Sequence, residues 1–236
     1  MRRSSTPVRL GRATVGIASV ALLGLTGCSG DAEAEAASAP TSAEASAEAT
    51  EGSAAPASTG AQPEWAAPLT TPGTSIANLQ AGDVTVEVFQ VGVTQATETG
   101  NFVDPETNQP IIAVGDDVVF VNYVVTNTGD PIALRASLVD VQARYDDWPY
   151  LQGMDSVTDA ALYEQQGVND DALAPGTFRD PSVYELGTGQ SYSFGENFRY
   201  QPGSPITFEV TVTPVDAAGD LVFDQATEGT GAGTIS

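Results

Sequence analysis

The strongest constraint on the fold is a two-residue periodicity that changes phase. Val84, Val86 and Val88 alternate with polar residues, and Phe89, Val91 and Val93 then alternate in the opposite register. A period of two lines one face of a strand, and a phase change within one strand marks an inserted bulge residue. Residues 118–126 are almost entirely Val, Phe, Tyr and Thr, which predicts a strand buried on much of both faces. Asn127-Thr128-Gly129-Asp130-Pro131 is turn chemistry, and 132–145 reads as the return strand. Residues 192–198, 206–213 and 221–223 add shorter strands. Several strands separated by such turns predict a mainly β chain, built as an antiparallel sandwich.

One segment breaks this pattern. Residues 157–166 have helical character between Ser156 and Gly167. Ser156 as N-cap, with Asp159 three residues on, makes a capping box, and Gly167 suits the C′ position. The face through Val157 and Ala161 is only weakly apolar, so a surface helix is expected. This helix lies inside the longest departure from a minimal sandwich, residues 146–182. The insertion holds Trp148, Tyr150, Met154, Tyr163 and Phe178 among many acids. Two readings of it stay open. The aromatics pin the insertion onto the sheet, or Trp148, Tyr150, Tyr163 and Phe178 form an exposed interaction surface for a protein or glycan.

The N-terminus has the layout of an export signal. Arg2, Arg3, Arg9 and Arg12 precede an uncharged stretch over 13–25 dominated by Val, Ile, Leu, Ala and Gly. That stretch is shorter than the roughly 20 residues a membrane span needs. It ends in Leu25-Thr26-Gly27-Cys28, and Cys28 is the sole cysteine. The tetrapeptide resembles a bacterial lipobox. The resemblance implies a signal peptide over 1–27, cleavage before Cys28, and a diacylglycerol thioether on Cys28. Two acyl chains hold a protein at a membrane where one holds only marginally. Twin-arginine export is disfavoured, because Ser4-Ser5-Thr6 follows Arg2-Arg3. The expected location is therefore the outer face of the cytoplasmic membrane. With Cys28 lipidated, no disulfide within the chain can form.

Residues 28–72 read as a disordered, lipid-anchored linker. From 29 to 63 the chain has no apolar side chain larger than Ala, and Trp65 is the first. Such a tract cannot bury enough surface to offset its ordering entropy. Residues 73–236 then make one domain of ordinary length.

Charge and composition exclude several function classes. The chain has no His and no Lys; eight arginines face 31 acidic residues. Removal of the four N-terminal arginines leaves four against those 31, a field that repels nucleic acid. Without His, Lys or a free Cys, the Ser-His-Asp, Cys-His, Ser-Lys and Schiff-base systems are unavailable. No phosphate-binding glycine loop is present. Paired carboxylates exist in any chain this acidic, so they identify no glycosidase. No catalytic or cofactor residues and no metal ligands are assigned. The acids Asp146, Asp147, Asp155, Asp159, Asp170, Asp171 and Asp180 leave a calcium role as the alternative, although no EF-hand-type loop occurs.

The run Val119-Phe120-Val121-Asn122-Tyr123-Val124-Val125-Thr126-Asn127-Thr128-Gly129-Asp130 resembles the strand and turn of immunoglobulin-like domains in secreted actinobacterial antigens and lipoproteins. Leu186-Gly187-Thr188-Gly189-Gln190-Ser191-Tyr192 is similar to the tyrosine corner of fibronectin-type domains. The resemblance implies an immunoglobulin-like sandwich over about 85–225 and carries no functional residue. The expected function is a non-enzymatic, lipid-anchored extracytoplasmic interaction module. Its partners would be the membrane, through Cys28, and an envelope protein or glycan. The alternative is a solute- or calcium-handling accessory lipoprotein.

Overall fold

The computed structural model describes residues 61–236. The export signal, Cys28 and the linker up to residue 60 lie outside the described residues. The described part is mainly β, with antiparallel sheets, one short helix and no closed barrel. No helix among the described residues is long and apolar enough to cross a membrane.

The first sheet has the order β1-β2-β3-β7, formed by Thr74–Ala81, Val84–Gln95, Asp117–Asn127 and Ser191–Arg199. The β2–β3 register shifts between Gln90 and Gly92, so the phase change is a bulge as expected. Val84, Val86 and Val88 point into the core, and Val91 turns to the opposite face. Strand β3 is the spine. Val119, Val121, Tyr123 and Val125 enter the main core, while Val118 and Phe120 enter a smaller cluster on the outer face.

The return strand expected over 132–145 does not form as one piece. Ile132–Leu134 (β4) pairs with Tyr184–Leu186 (β6), and Asp140–Tyr145 (β5) pairs with Pro205–Val212 (β8). Between β4 and β5, Leu138 takes a left-handed φ of 54° and its N–H closes a turn onto Arg135. The chain has already left the first sheet at β4, this turn passes it on to the sheet of β5, and β7 takes the place beside β3. The other large sheet has the order β5-β8-β9, with β9 spanning Thr227–Thr234. Ile206, Phe208, Val210 and Val212 alternate into the shared core. Residues 221–223 make no closing strand: Leu221 forms only a bridge with Val215, and Phe223–Gln225 is a 3-10 turn.

Strands β1 and β9 carry little apolar periodicity and were not legible. In β9, Gly229, Gly231 and Gly233 lie against β1. A Cβ at these positions would collide with the Gln80 carbonyl, the Leu79 side chain and the Ile76 carbonyl. Glycine here is a packing requirement: it lets the two sheets close along one side.

Two boundaries move. Residues 61–72, expected in the linker, pack onto the sheet. Trp65 is 2% exposed, donates its indole N–H to the Glu185 carbonyl at 2.8 Å, and packs edge-on against Tyr184 and at a tilt against Tyr192. The Asn122 amide donates to the Thr70 carbonyl, and the Thr70 N–H donates to Ser193 Oγ, each at 2.8 Å. The helix, α1, spans Ala160–Gln166, with Asp159 as its N-cap and Gly167 in the left-handed region at φ 68°. Ser156 does not cap it, because the neighbouring Val157 is engaged outside the helix: its N–H donates to Asn197 Oδ1 and its carbonyl accepts from Asn197 Nδ2. Leu162 roots α1 in the outer cluster with Phe120 and Val168. The insertion thus covers the second face of β3.

Candidate functional site

The aromatic residues of the insertion do not form one surface. Trp148 is 7% exposed and belongs to the main core, its ring packed edge-on with Tyr150 at 5.2 Å. Tyr150 is half-buried and donates its hydroxyl to Asp104 at 2.9 Å. Tyr163 stands edge-on to Phe120 at 5.0 Å and accepts from the Asn197 amide. Of the four, only Phe178 is free, at 74% exposure. The packing of Trp148, Tyr150 and Tyr163 fits the pinning role, and the four residues do not share one exposed face. A strand buried on both faces needs cover, and the insertion provides it.

The insertion's acids are likewise dispersed. Asp155 is buried and accepts from the backbone N–H groups of Asn101, Phe102 and Ser156 at 2.7–3.0 Å. Asp159 caps α1, and Asp146 accepts from Thr207. Among the described residues, no three carboxylates converge as a metal group would require.

The cleft with the most chemistry lies elsewhere, between the edge strands β5 and β7. These strands border different sheets and do not pair with each other. Two tyrosine hydroxyls span the gap at its ends. The Val139 N–H donates to the Tyr192 hydroxyl at 3.1 Å, and the Tyr145 hydroxyl donates to the Arg199 carbonyl at 2.9 Å. Between them is a groove of about 460 Å³, lined by β5, by Glu196–Phe198 of β7, by Met154, and by Thr207 and Glu209 of β8. A smaller hollow of about 250 Å³ continues it past Asp140, Val141 and Glu196 towards Asp170 and Asp171.

Glu196 sits where the two hollows meet. It projects from the core-facing side of β7 between Phe194 and Phe198, and accepts the Tyr123 hydroxyl on Oε2 at 2.8 Å. Desolvation raises its pKa to about 7; the Tyr123 hydrogen bond opposes that rise and Asp140 adds to it. The buried Tyr123 hydroxyl is itself held well above its ordinary pKa by desolvation and by Glu196. A carboxyl with a shifted pKa in a cleft is a recognised sign of a functional position.

The β5 edge is open along this groove. The Asp146 N–H donates to the Pro205 carbonyl, on the β8 side, whereas the Tyr145 N–H points away to Met154 Sδ. Antiparallel alternation then turns the N–H and C=O groups of Val141 and Ala143 towards the groove. Among the described residues, no strand pairs with that edge of β5. Asp140, Asp146, Glu196 and Glu209 give the rim and floor their negative charge. Arg144 is the one cationic residue in the lining, and it donates to the carbonyls of Tyr150 and Gln152. Sequence reasoning missed this site: Tyr192, Phe194 and Phe198 put Glu196 in phase with an apolar face, but nothing local shows that this edge of β7 faces β5.

The fold and site define a class: a mainly β, antiparallel protein with an acid-lined groove between two sheet edges. No family model matches the chain, and no curated protein matches it. A solved Bacillus subtilis chain described as a candidate lipoprotein, YcdA, is similar at 17% identity and a TM-score of 0.29. The match covers 64% of this chain and 37% of that one, so it spans well under two thirds of the solved relative's length.

Proposed function

We propose that this chain is a non-enzymatic binding module with an immunoglobulin-like sandwich, displayed outside the cytoplasmic membrane by a lipid on Cys28. The observation that carries the binding reading is the β5–β7 groove. Among the described residues this gap between two sheet edges is bridged only at its ends and has unpaired main-chain groups along one wall, an arrangement suited to accept a ligand. The absence of His and Lys from the whole chain supports a non-enzymatic role, and the Leu25-Thr26-Gly27-Cys28 motif supports the anchor. Loops and edges of sandwiches commonly carry recognition while the core only supports it.

The test uses the mature full chain and the double variant Asp140→Arg with Glu209→Arg. Both residues are exposed, so the melting temperature is expected to stay unchanged. Each protein is immobilised and challenged with detergent-solubilised envelope material. The reading expects a component retained by the wild type and lost from the variant. Equal retention by both would remove the groove from the binding surface.

A further inference from the structure

We infer that the groove takes an extended, basic polypeptide segment, which adds to β5 as a further strand. The inference rests on the binding reading above and specifies its ligand.

Three observations converge on it. The first is the edge itself. Val141 and Ala143 present consecutive N–H and C=O pairs in the spacing of an antiparallel or parallel ladder, with no neighbouring strand among the described residues. A glycan or small solute would use side-chain donors and acceptors here; only another backbone matches this repeat. The second is the room. The groove of about 460 Å³, continued by the smaller hollow, follows β5 from Asp140 to Tyr145 and reaches Asp146 just beyond it. Its ends are set by the Tyr192 and Tyr145 hydroxyl contacts rather than by a covering strand.

The third is charge. Asp140 begins the strand, Asp146 directly follows it, Glu209 lies on the face beside it, and Glu196 on the floor. Arg144 donates to loop carbonyls, and its single positive charge leaves the lining net negative. Strand edges are often guarded by charge against pairing with their own kind. Here a second copy would bring the same acids to the same edge, in a chain of net charge −23. The guard that excludes self-pairing selects a partner of opposite sign. Lysine or arginine at alternate positions would meet Asp140 and Glu209 on one face of the added strand, while the backbone pairs with Val141 and Ala143.

Backbone pairing and plain charge attraction are separable. The probe is an acetylated octapeptide of alternating lysine and threonine, titrated against the mature full chain. Two further peptides are N-methylated at every second residue, in the two possible phases. In a strand, alternate N–H groups face opposite edges, so one phase removes the donors that meet β5 and the other does not. The expected result is that one phase weakens binding by about tenfold or more while the other changes it by less than about threefold. The amides of Val141 and Ala143 gain hydrogen-exchange protection with the parent peptide. Ala143→Pro, whose missing N–H faces the groove and not β8, is expected to weaken binding like the damaging phase. A peptide of alternating glutamate and threonine is expected not to bind.

Equal effects of the two methylation phases, or binding insensitive to Asp140→Arg with Glu209→Arg, would overturn the inference. The peptide result and the envelope-retention result are independent. Retention that depends on the groove, together with failure of the peptide, overturns strand addition and leaves the binding module standing.

Discussion

The hydroxyl of Tyr123, from the central strand of the first sheet, donates to the carboxylate of Glu196 on the neighbouring edge strand at 2.8 Å. Both side chains lie on the core-facing side of that sheet, where a carboxylate is out of place unless something holds it. Tyr123 supplies one hydrogen bond, and the groove gives the rest of the group partial access to solvent.

This placement makes stability depend on pH. The Glu196 pKa rises from 4.5 to about 7 in the folded chain, chiefly by desolvation. The folded state therefore binds this proton more tightly than the unfolded state. The contribution is complete below about pH 4.5 and is lost as pH rises through 7. At about 1.4 kcal/mol per unit, reduced for partial solvation, it amounts to about 1–3 kcal/mol. Glu196→Gln keeps an acceptor for Tyr123 and has no charge to bury. The variant is expected to match the wild type near pH 4.5 and exceed it in urea-melt stability at pH 7.5 by that amount. A wild-type-minus-variant difference that does not change with pH would refute the assignment.

Trp65 and Trp148 are both core residues, at 2% and 7% exposure. Replacing either by Ala is expected to cost about 3–5 kcal/mol, the usual range for a buried Trp. For Trp65 this also tests the domain boundary. If the folded unit began at 73, Trp65→Ala would leave the melting temperature unchanged.

Asp155 ties the insertion to the loop after β2 by accepting from the backbone N–H groups of Asn101 and Phe102, and it also accepts from the adjacent Ser156 N–H. Its Oδ2 is buried without a partner, packed against Gly100. Asp155→Ala strands those donors and is expected to cost about 2–4 kcal/mol. Asp155→Asn retains an acceptor and is expected to cost less than half as much. Hydrogen exchange at Asn101 and Phe102 is expected to accelerate in the Ala variant only. Equal destabilisation by both variants would place the energy in packing rather than in these bonds.

Cys28→Ser removes the thiol that the lipobox reading requires. In detergent-phase partitioning of the expressed full chain, the wild type is expected in the detergent phase and the variant in the aqueous phase. Unchanged partitioning would remove the lipid from the account.

Much of the fold was legible because its signal is local. The bulge in β2 was readable from Val88-Phe89 and Val91, since a period of two must break where a residue is inserted. The double burial of β3 was readable from its unbroken run of Val, Phe and Tyr. The left-handed Gly167 at the end of α1 was readable because few other residues accept that conformation.

Three features needed the tertiary structure. Strand β9 carries glycine where strands usually carry Val or Ile, because its neighbour β1 approaches too closely for a Cβ; that proximity is set by residues about 150 positions away in the chain. The role of Trp148 was undecided by sequence, since an aromatic among acids reads alike as anchor or as core until its neighbours are known. The groove is the extreme case. Glu196 and Val141 belong to different sheets, and no local pattern records that their edges face each other. Periodicity reports which way one strand's side chains point. Which edges are left unpaired, and what charge borders them, follows only from how the sheets stack.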